Sequence, residues 1–281
     1  MNELTILKTT IKIGIKNPFK LLHITDSHIF RDDASGWNRK TCFDCRYDGC
    51  TEAFYHQAIK YAKEHNIAIF HTGDLIDFFS EGNFHFLQNY FPKNLDYIYA
   101  AGNHDFVDFA DIQRGQEETE AYKKSQLKLI APYIKNNLYF DAKLIGEVNV
   151  VTLDNSYYRI SEGQLDALKA EVAKGYPIIL GMHVPIYTLE LAKACVKEAN
   201  VCYLMNAPDE LLNRYPANRK KQQAPDNITK EATAYIESEP QIKAVIAGHL
   251  HQNHETKLRG EKMQYVTHGS FAGFVREITI I

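Results

Sequence analysis

The sequence predicts an α/β fold, and three observations carry that prediction. Five short apolar runs, at residues 19–24, 67–71, 97–101, 177–180 and 242–247, read as buried strands. Segments of helical spacing separate them. Each run leads into a polar cluster: Asp26-Ser27-His28, Gly73-Asp74-Leu75-Ile76-Asp77, Gly102-Asn103-His104-Asp105, Gly181-Met182-His183 and Gly248-His249-Leu250-His251. Ligand sites of α/β sheets form at strand ends, so groups far apart in the chain are expected to meet in one crevice there.

Residues 4–15 alternate Ile with Lys or Thr and are expected to form an edge hairpin, which passes through Asn17-Pro18 into the first core strand. Residues 31–50 break the pattern with Arg31, Asp32, Asp33, Gly36, Trp37, Arg39 and three cysteines. A loop of that length beside the first polar cluster either shapes a substrate mouth or is a flexible insertion. Residues 51–66 read as an amphipathic helix, with Thr51 as N-cap and Ala53, Phe54, Ala58, Ile59 and Ala62 on the packing face. Residues 111–136 carry helical spacing, and 138–140, 144–145 and 148–153 read as strands, the last ended by Asp154-Asn155-Ser156. Asp154 is expected to be a structural turn carboxylate outside the site. Ser161 and Gln164 form a capping-box variant opening a helix that buries Leu165, Leu168 and Val172.

About 65 residues separate His183 from His249, more than one crossover helix needs, so an insertion is expected at 186–235. Within it residues 189–203 look helical, while 206–208 and 215–218 break structure. Arg214, Arg219, Lys220 and Lys221 form a basic stretch that is either a solvated face or a hold on an anionic substrate. One domain over 1–281 accommodates all of this, since 281 residues at 45% hydrophobic can bury a large core.

Net charge is −3, from 32 basic against 35 acidic residues, which weighs against a nucleic-acid partner. Residues 1–10 carry no signal-peptide core and no apolar run is long enough to cross a bilayer, so a cytoplasmic location is expected. Five cysteines do not suggest a disulfide framework. Cys42, Cys45 and Cys50, with His56 as a fourth ligand, could hold zinc, but a second C-x-x-C pair is lacking and reduced thiols are the default reading. No activating neighbour marks any of the five as a nucleophile.

Asp, Asn and His in the five clusters offer oxygen and imidazole ligands without thiolate, a set suited to Mn²⁺, Fe²⁺, Zn²⁺ or Ni²⁺. Asp26 and His28, two apart at a strand end, are expected to point the same way and chelate one ion. His249 and His251 either share one face or reach two neighbouring ions, and the second arrangement is favoured. Glycines before the ligands allow sharp turns and close backbone approach.

The ordered set D-x-H, G-D-x-x-D, G-N-H-D, G-x-H and G-H-x-H resembles the calcineurin-like metallophosphoesterases over residues 19–281. The resemblance implies a sandwich of two mixed β-sheets flanked by helices. It implies one metal held by Asp26, His28, Asp74 and His251 and a second by Asp74, Asn103, His183 and His249, with Asp74 between them. His104 matches the catalytic histidine and Asp77 the acid that orients it, neither binding metal. Where purple acid phosphatases carry Tyr this chain has Asp77, and Phe78-Phe79 and Asp105 depart from the serine/threonine phosphatase pattern. Residues 22–28 and 101–105 look more like bacterial class III cyclic nucleotide phosphodiesterases, and also like the nuclease branch. Met182 departs from the paired histidines common in the phosphodiesterase branch.

The function expected is a two-metal hydrolase of a small phosphodiester or phosphomonoester, with a water between the ions as nucleophile. A DNA or RNA nuclease would need a longer basic strip than 214–221. A non-catalytic metal-binding scaffold would be marked by lost ligands, and none is missing. Oligomeric state is left open.

Overall fold

Strands apolar on both faces must be covered on both sides, and two stacked mixed sheets with helices outside them meet that demand. The computed structural model describes residues 3–31, 50–91, 96–108, 119–199 and 203–281. In chain order the elements are β1 (Thr5–Ile11), β2 (Phe19–Ile24), α1 (Thr51–His65), β3 (Ala68–His71), α2 (Glu81–Asn89), β4 (Tyr97–Tyr99), α3 (Glu120–Ile130), β5 (Phe140–Ile145), β6 (Val148–Leu153), α4 (Glu162–Ala173) and β7 (Ile178–Gly181). There follow α5 (Leu189–Ala199), α6 (Asp209–Leu212), α7 (Ala217–Gln223), α8 (Asn227–Ser238), β8 (Ile242–Ala247), β9 (His254–Lys257), β10 (Met263–Val266) and β11 (Phe274–Ile280). The segment 31–50, with Cys42 and Cys45, lies almost wholly outside the described residues, as do 111–118 of the helical stretch expected over 111–136 and Cys202.

The first sheet has the order β1-β11-β2-β3-β4 and the second β5-β6-β7-β8-β10-β9. Both are mixed: β2, β3 and β4 run parallel, as do β6, β7 and β8, while β11 pairs antiparallel with β2 and β5 with β6. Alternation along single strands shows why the apolar runs are unbroken. Leu21 of β2 and Phe70 of β3 face the gap between the sheets with Val150, Ile179 and Ile246, whereas Leu22 and Ile24 pack outward with Tyr55, Ala58 and Ala62 of α1. On the far side Leu165 and Leu168 of α4 and Ala232 and Ile236 of α8 cover Leu180, Val245 and Ala247. The observed class is the two-sheet α/β sandwich flanked by helices that the resemblance implied.

Local expectations fare unevenly. The capping box at Ser161 and Gln164 is present with both reciprocal hydrogen bonds. Helix α1 forms as expected, but Cys50 holds the N-cap position without a side-chain cap, Thr51 is its first helical residue, and Ala53 is exposed where Tyr55 is buried. Residues 4–15 do not form a hairpin. Only β1 is a strand, and it pairs in parallel with β11, Thr5 opposite Phe274 and Ile11 opposite Ile280. The alternation was real, but its partner lies at the other end of the sequence, and after β1 the N–H groups of Ile13 and Gly14 donate to the Ile281 carbonyl rather than to a returning strand. Among the described residues no helix is long and apolar enough to cross a membrane.

Phe70 is fully buried between the sheets, and a side chain at Gly181 would run into its ring. Phe70→Ala is expected to cost about 3–5 kcal/mol by leaving a cavity there, read as a lowered urea midpoint; an unchanged midpoint would show that the inter-sheet core does not depend on this ring.

Candidate metal centre

The carboxyl ends of β2, β3 and β4 in one sheet and of β7 and β8 in the other point to the same edge of the sandwich; four of the polar clusters begin one to three residues beyond their strands, and the one after β7 begins at its last residue, Gly181. The chain bends there through an unusual device. Asp26, His28, Asp74, His249 and His251 all adopt left-handed backbone, with φ between 44° and 69°. Asp and His tolerate this region better than most residues, and such strain concentrates at functional sites. The expected strand-end periodicity of Asp26 and His28 therefore does not apply, because β2 ends at Ile24. Their side chains meet nonetheless, with His28 Nε2 3.8 Å from Asp26 Oδ1.

Two ligand clusters result. In one, His251 Nε2 lies 3.2 Å from Asp26 Oδ1 and 3.2 Å from His28 Nε2. In the other, His183 Nε2 lies 3.2 Å from Asp74 Oδ2 and 3.1 Å from His249 Nδ1. Asp74 Oδ2 is also 3.7 Å from His28 Nε2, so this oxygen stands between the two. His249 and His251 thus divide between the clusters. Ligands about 2.1 Å from a common ion are separated from one another by roughly 3.0–3.4 Å in tetrahedral or octahedral arrangement, close to these spacings. Asn103 fits as well: its Oδ1 is buried without a hydrogen-bond partner, and its side chain lines the same cavity as Asp74 and His249. A buried oxygen in that state is available to a cation or a donor. The residues present suit a divalent metal centre.

The second layer fixes which atoms face inward. Asp26 Oδ2 accepts from the Thr25 hydroxyl at 2.7 Å and the His249 N–H at 2.9 Å, leaving Oδ1 for the cluster. Asp74 Oδ1 accepts from the His104 N–H at 2.8 Å, leaving Oδ2. His183 Nδ1–H donates to the Thr72 carbonyl at 2.7 Å, which reserves Nε2 as the lone-pair atom. The Tyr158 hydroxyl is 3.0 Å from His249 Nε2, and accepting that N–H sets Nδ1 toward His183.

Two supporting residues, Asp105 and Tyr158, carry no such signal in the sequence. Asp105 closes the third motif; its Oδ2 accepts from the N–H groups of Asp74 at 2.9 Å and Gly102 at 2.8 Å and from the Tyr99 hydroxyl at 2.6 Å, and its Oδ1 from Leu75 N–H at 3.0 Å. Burial and the nearby Asp74 carboxylate push Asp105 up to about 6, against the pull of Tyr99 and Gly102. Every contact it makes is a donor, so the carboxylate is its working form at neutral pH. Gly73 and Gly102 make the arrangement possible, because a Cβ on Gly73 would sit 2.3 Å from Gly102 N and one on Gly102 2.2 Å from Asp74 Oδ1. Tyr158 stands at the end of an aromatic pair after β6, and nothing in the sequence distinguished it from Tyr157.

Asp77 is buried, its Oδ1 3.0 Å from His104 Nδ1 and 3.3 Å from His28 Nδ1, and its carbonyl accepts from His104 Nδ1 at 2.8 Å. One acid thus touches both the histidine it was expected to orient and a candidate metal ligand. Burial pushes the Asp77 carboxyl up, but the two histidines outweigh it and hold it far below the usual carboxylate range. Burial likewise lowers His104, and the Asp74 and Asp77 carboxylates more than reverse this, raising it to about 10. Asp154 stays outside the clusters, taking the Ser156 N–H and hydroxyl and pairing with Lys123 at 2.8 Å. Of the basic stretch only Arg219 lines the cavity; Arg214, Lys220 and Lys221 are exposed. His56 pairs with Glu52 at 3.2 Å.

The family model for calcineurin-like phosphoesterases matches residues 19–253. The 3′,5′-cyclic adenosine monophosphate phosphodiesterase CpdA of Haemophilus influenzae is 24% identical over 262 residues, covering 90% of this chain and 78% of that protein. Among solved structures, a dimetal phosphatase from Danio rerio superposes with a TM-score of 0.52 at 13% identity, covering 90% of this chain and 88% of the other.

Asp105→Asn keeps the shape but sets an NH₂ group among donors. Metal affinity, measured by calorimetric titration with Mn²⁺, is expected to fall about 10–100-fold; binding at the level of the unaltered protein would remove Asp105 from the support of the centre.

Proposed function

Because the chain belongs to the calcineurin-like phosphoesterase family, we propose that it is a two-metal hydrolase of a small phosphodiester or phosphomonoester. The observation that carries this reading is the position of Asp74 Oδ2, within 3.7 Å of a ligating nitrogen from each cluster. Asp26, His28, His251 and Asp74 would hold one ion, and Asp74, Asn103, His183 and His249 the other. Mn²⁺, Fe²⁺ and Zn²⁺ suit this donor set best and Ni²⁺ is admissible. Two such ions, when bound, supply a water of lowered pKa and offset charge on the phosphoryl oxygens.

The remaining chemistry belongs to the chain. His104 lines the cavity beside Asn103, with Nδ1 engaged by Asp77, so Nε2 is the nitrogen that meets a substrate. The Asp74 and Asp77 carboxylates raise the imidazole against the effect of burial, which suits it to donate to a departing oxygen or to support phosphoryl charge. Asp77, engaged with both His104 and His28, holds the acid and one ligand in fixed relation. The diester class comes first among candidates, since the Haemophilus relative is named for a cyclic diester.

Manganese-dependent hydrolysis of bis(p-nitrophenyl) phosphate and p-nitrophenyl phosphate tests the proposal, and a preference between them assigns diester or monoester. His104→Ala is expected to lower kcat by about 10²–10⁴-fold with metal content unchanged; undiminished turnover would refute the acid role. Asp74→Asn is expected to lose both ions by elemental analysis, and full occupancy in that variant would contradict a shared ligand.

A further inference from the structure

A cavity of about 310 Å³ is lined by Asp74, Asn103, His104 and His249 together with Tyr203 and Arg219. Tyr203 and Arg219 come from the segment between β7 and β8. We propose that this segment builds a subsite for the part of the substrate that does not react, with Tyr203 as the stacking face for a planar ring and Arg219 as its cationic rim, so that the substrate is a phosphate ester of mononucleotide size and kind. The inference rests on the phosphoesterase reading above and deepens it.

Three observations support the assignment. Tyr203 keeps 36% of its surface open although it is an aromatic residue on the cavity wall, while Tyr215 behind it is buried. The two rings are stacked at 5.7 Å and 25°, so Tyr203 is backed by a fixed partner rather than swinging free. Its ring centre is 6.3 Å from that of His249, which puts a flat apolar surface within one ring's reach of a ligating residue. An aromatic side chain in that position gains from a planar ligand group and little from an aliphatic one. Arg219 is half-buried, with a guanidinium N–H donating to Gln222 Oε1 at 2.8 Å, and places positive charge on the same wall. The volume lies at the low end of small-ligand pockets, about 300–1,000 Å³, which accommodates a single nucleotide.

The test compares a hydrolysis-resistant phosphonate analogue of AMP with the same phosphonate of ribose, which lacks the base, by calorimetric titration into the manganese-supplemented full chain. The adenine-bearing ligand is expected to bind about 10-fold more tightly, with its ring protons shifted upfield in the NMR spectrum of the complex. Tyr203→Ala is expected to bring the ratio of the two affinities close to one and Tyr203→Phe to preserve it, a pattern that general loosening of the fold would not give. Arg219→Gln is expected to weaken both ligands together. Equal affinities in the unaltered protein, or a ratio that survives Tyr203→Ala, overturn the subsite. Should Tyr203→Ala fail to fold, Tyr203→Leu keeps the bulk without the ring and is read in the same way. Failure of the phosphoesterase reading shows separately, as no turnover of either p-nitrophenyl ester with both ions bound, whatever the affinity ratio.

Discussion

The Asp105 carboxylate is the tie on which the centre depends. By accepting the N–H groups of Asp74, Leu75 and Gly102 together with the Tyr99 hydroxyl, it pins the turn after β3 to the turn after β4. The left-handed Asp74 would otherwise have little reason to persist, since such conformations cost on the order of 1–3 kcal/mol each and last only where the surroundings over-determine them. The neighbouring turn is held in the same manner. The Asp26 N–H donates to Gly73 O, His28 N–H to Asp74 O and Ile29 N–H to Leu75 O, all at 2.9 Å, so the β2–β3 ladder continues past the ends of both strands. Asp26 and His28 are strained residues inside a ladder that does not let them relax.

Charge makes a second demand. Asp26, Asp74, Asp77 and Asp105 are all buried within one region, a concentration of negative charge that burial alone would neutralise by protonation. Histidines answer it unequally. Burial lowers His183, but Asp74 and Asp26 raise it to about 9, whereas His71, also lowered by burial, falls to about 3. His71 accepts from the Gly73 N–H and faces the Ser27 hydroxyl, a neutral setting a few ångströms from an ionic one. Local partners set the charge balance, so the same residue type is kept neutral by burial in one place and drawn toward protonation by carboxylates in the next.

Much of this was legible in the sequence, for definite reasons. The core strands were readable because both faces of each are covered, which leaves no polar interruption: β2 and β8 have the bounds their apolar runs indicate. The motifs stood out because rare residue types recur at strand ends. What was hidden depends on contacts that sequence distance does not encode. The pairing of β1 could not be read because its partner is at the opposite end of the chain. Asp105 looks like any turn acid until five donors are seen to converge on it. The left-handed backbone is carried by Asp and His rather than by Gly, so the usual marker was missing. Tyr203 and Tyr158 are single aromatics among many, singled out only by the wall on which they stand.

The strand order of the first sheet has a consequence for how the molecule comes to be assembled. Because β11 lies between β1 and β2, the earliest strand made has no neighbour until the latest one is inserted. β2, β3 and β4 can pair as they emerge, each meeting a partner made shortly before or after it. During synthesis the β2 edge therefore stays open, an apolar rim with unpaired peptide groups, while more than two hundred further residues are added. Until β11 fills that gap the nascent chain offers a template for pairing with the wrong partner, and losing β11 would leave two strands of the sheet without a place instead of one.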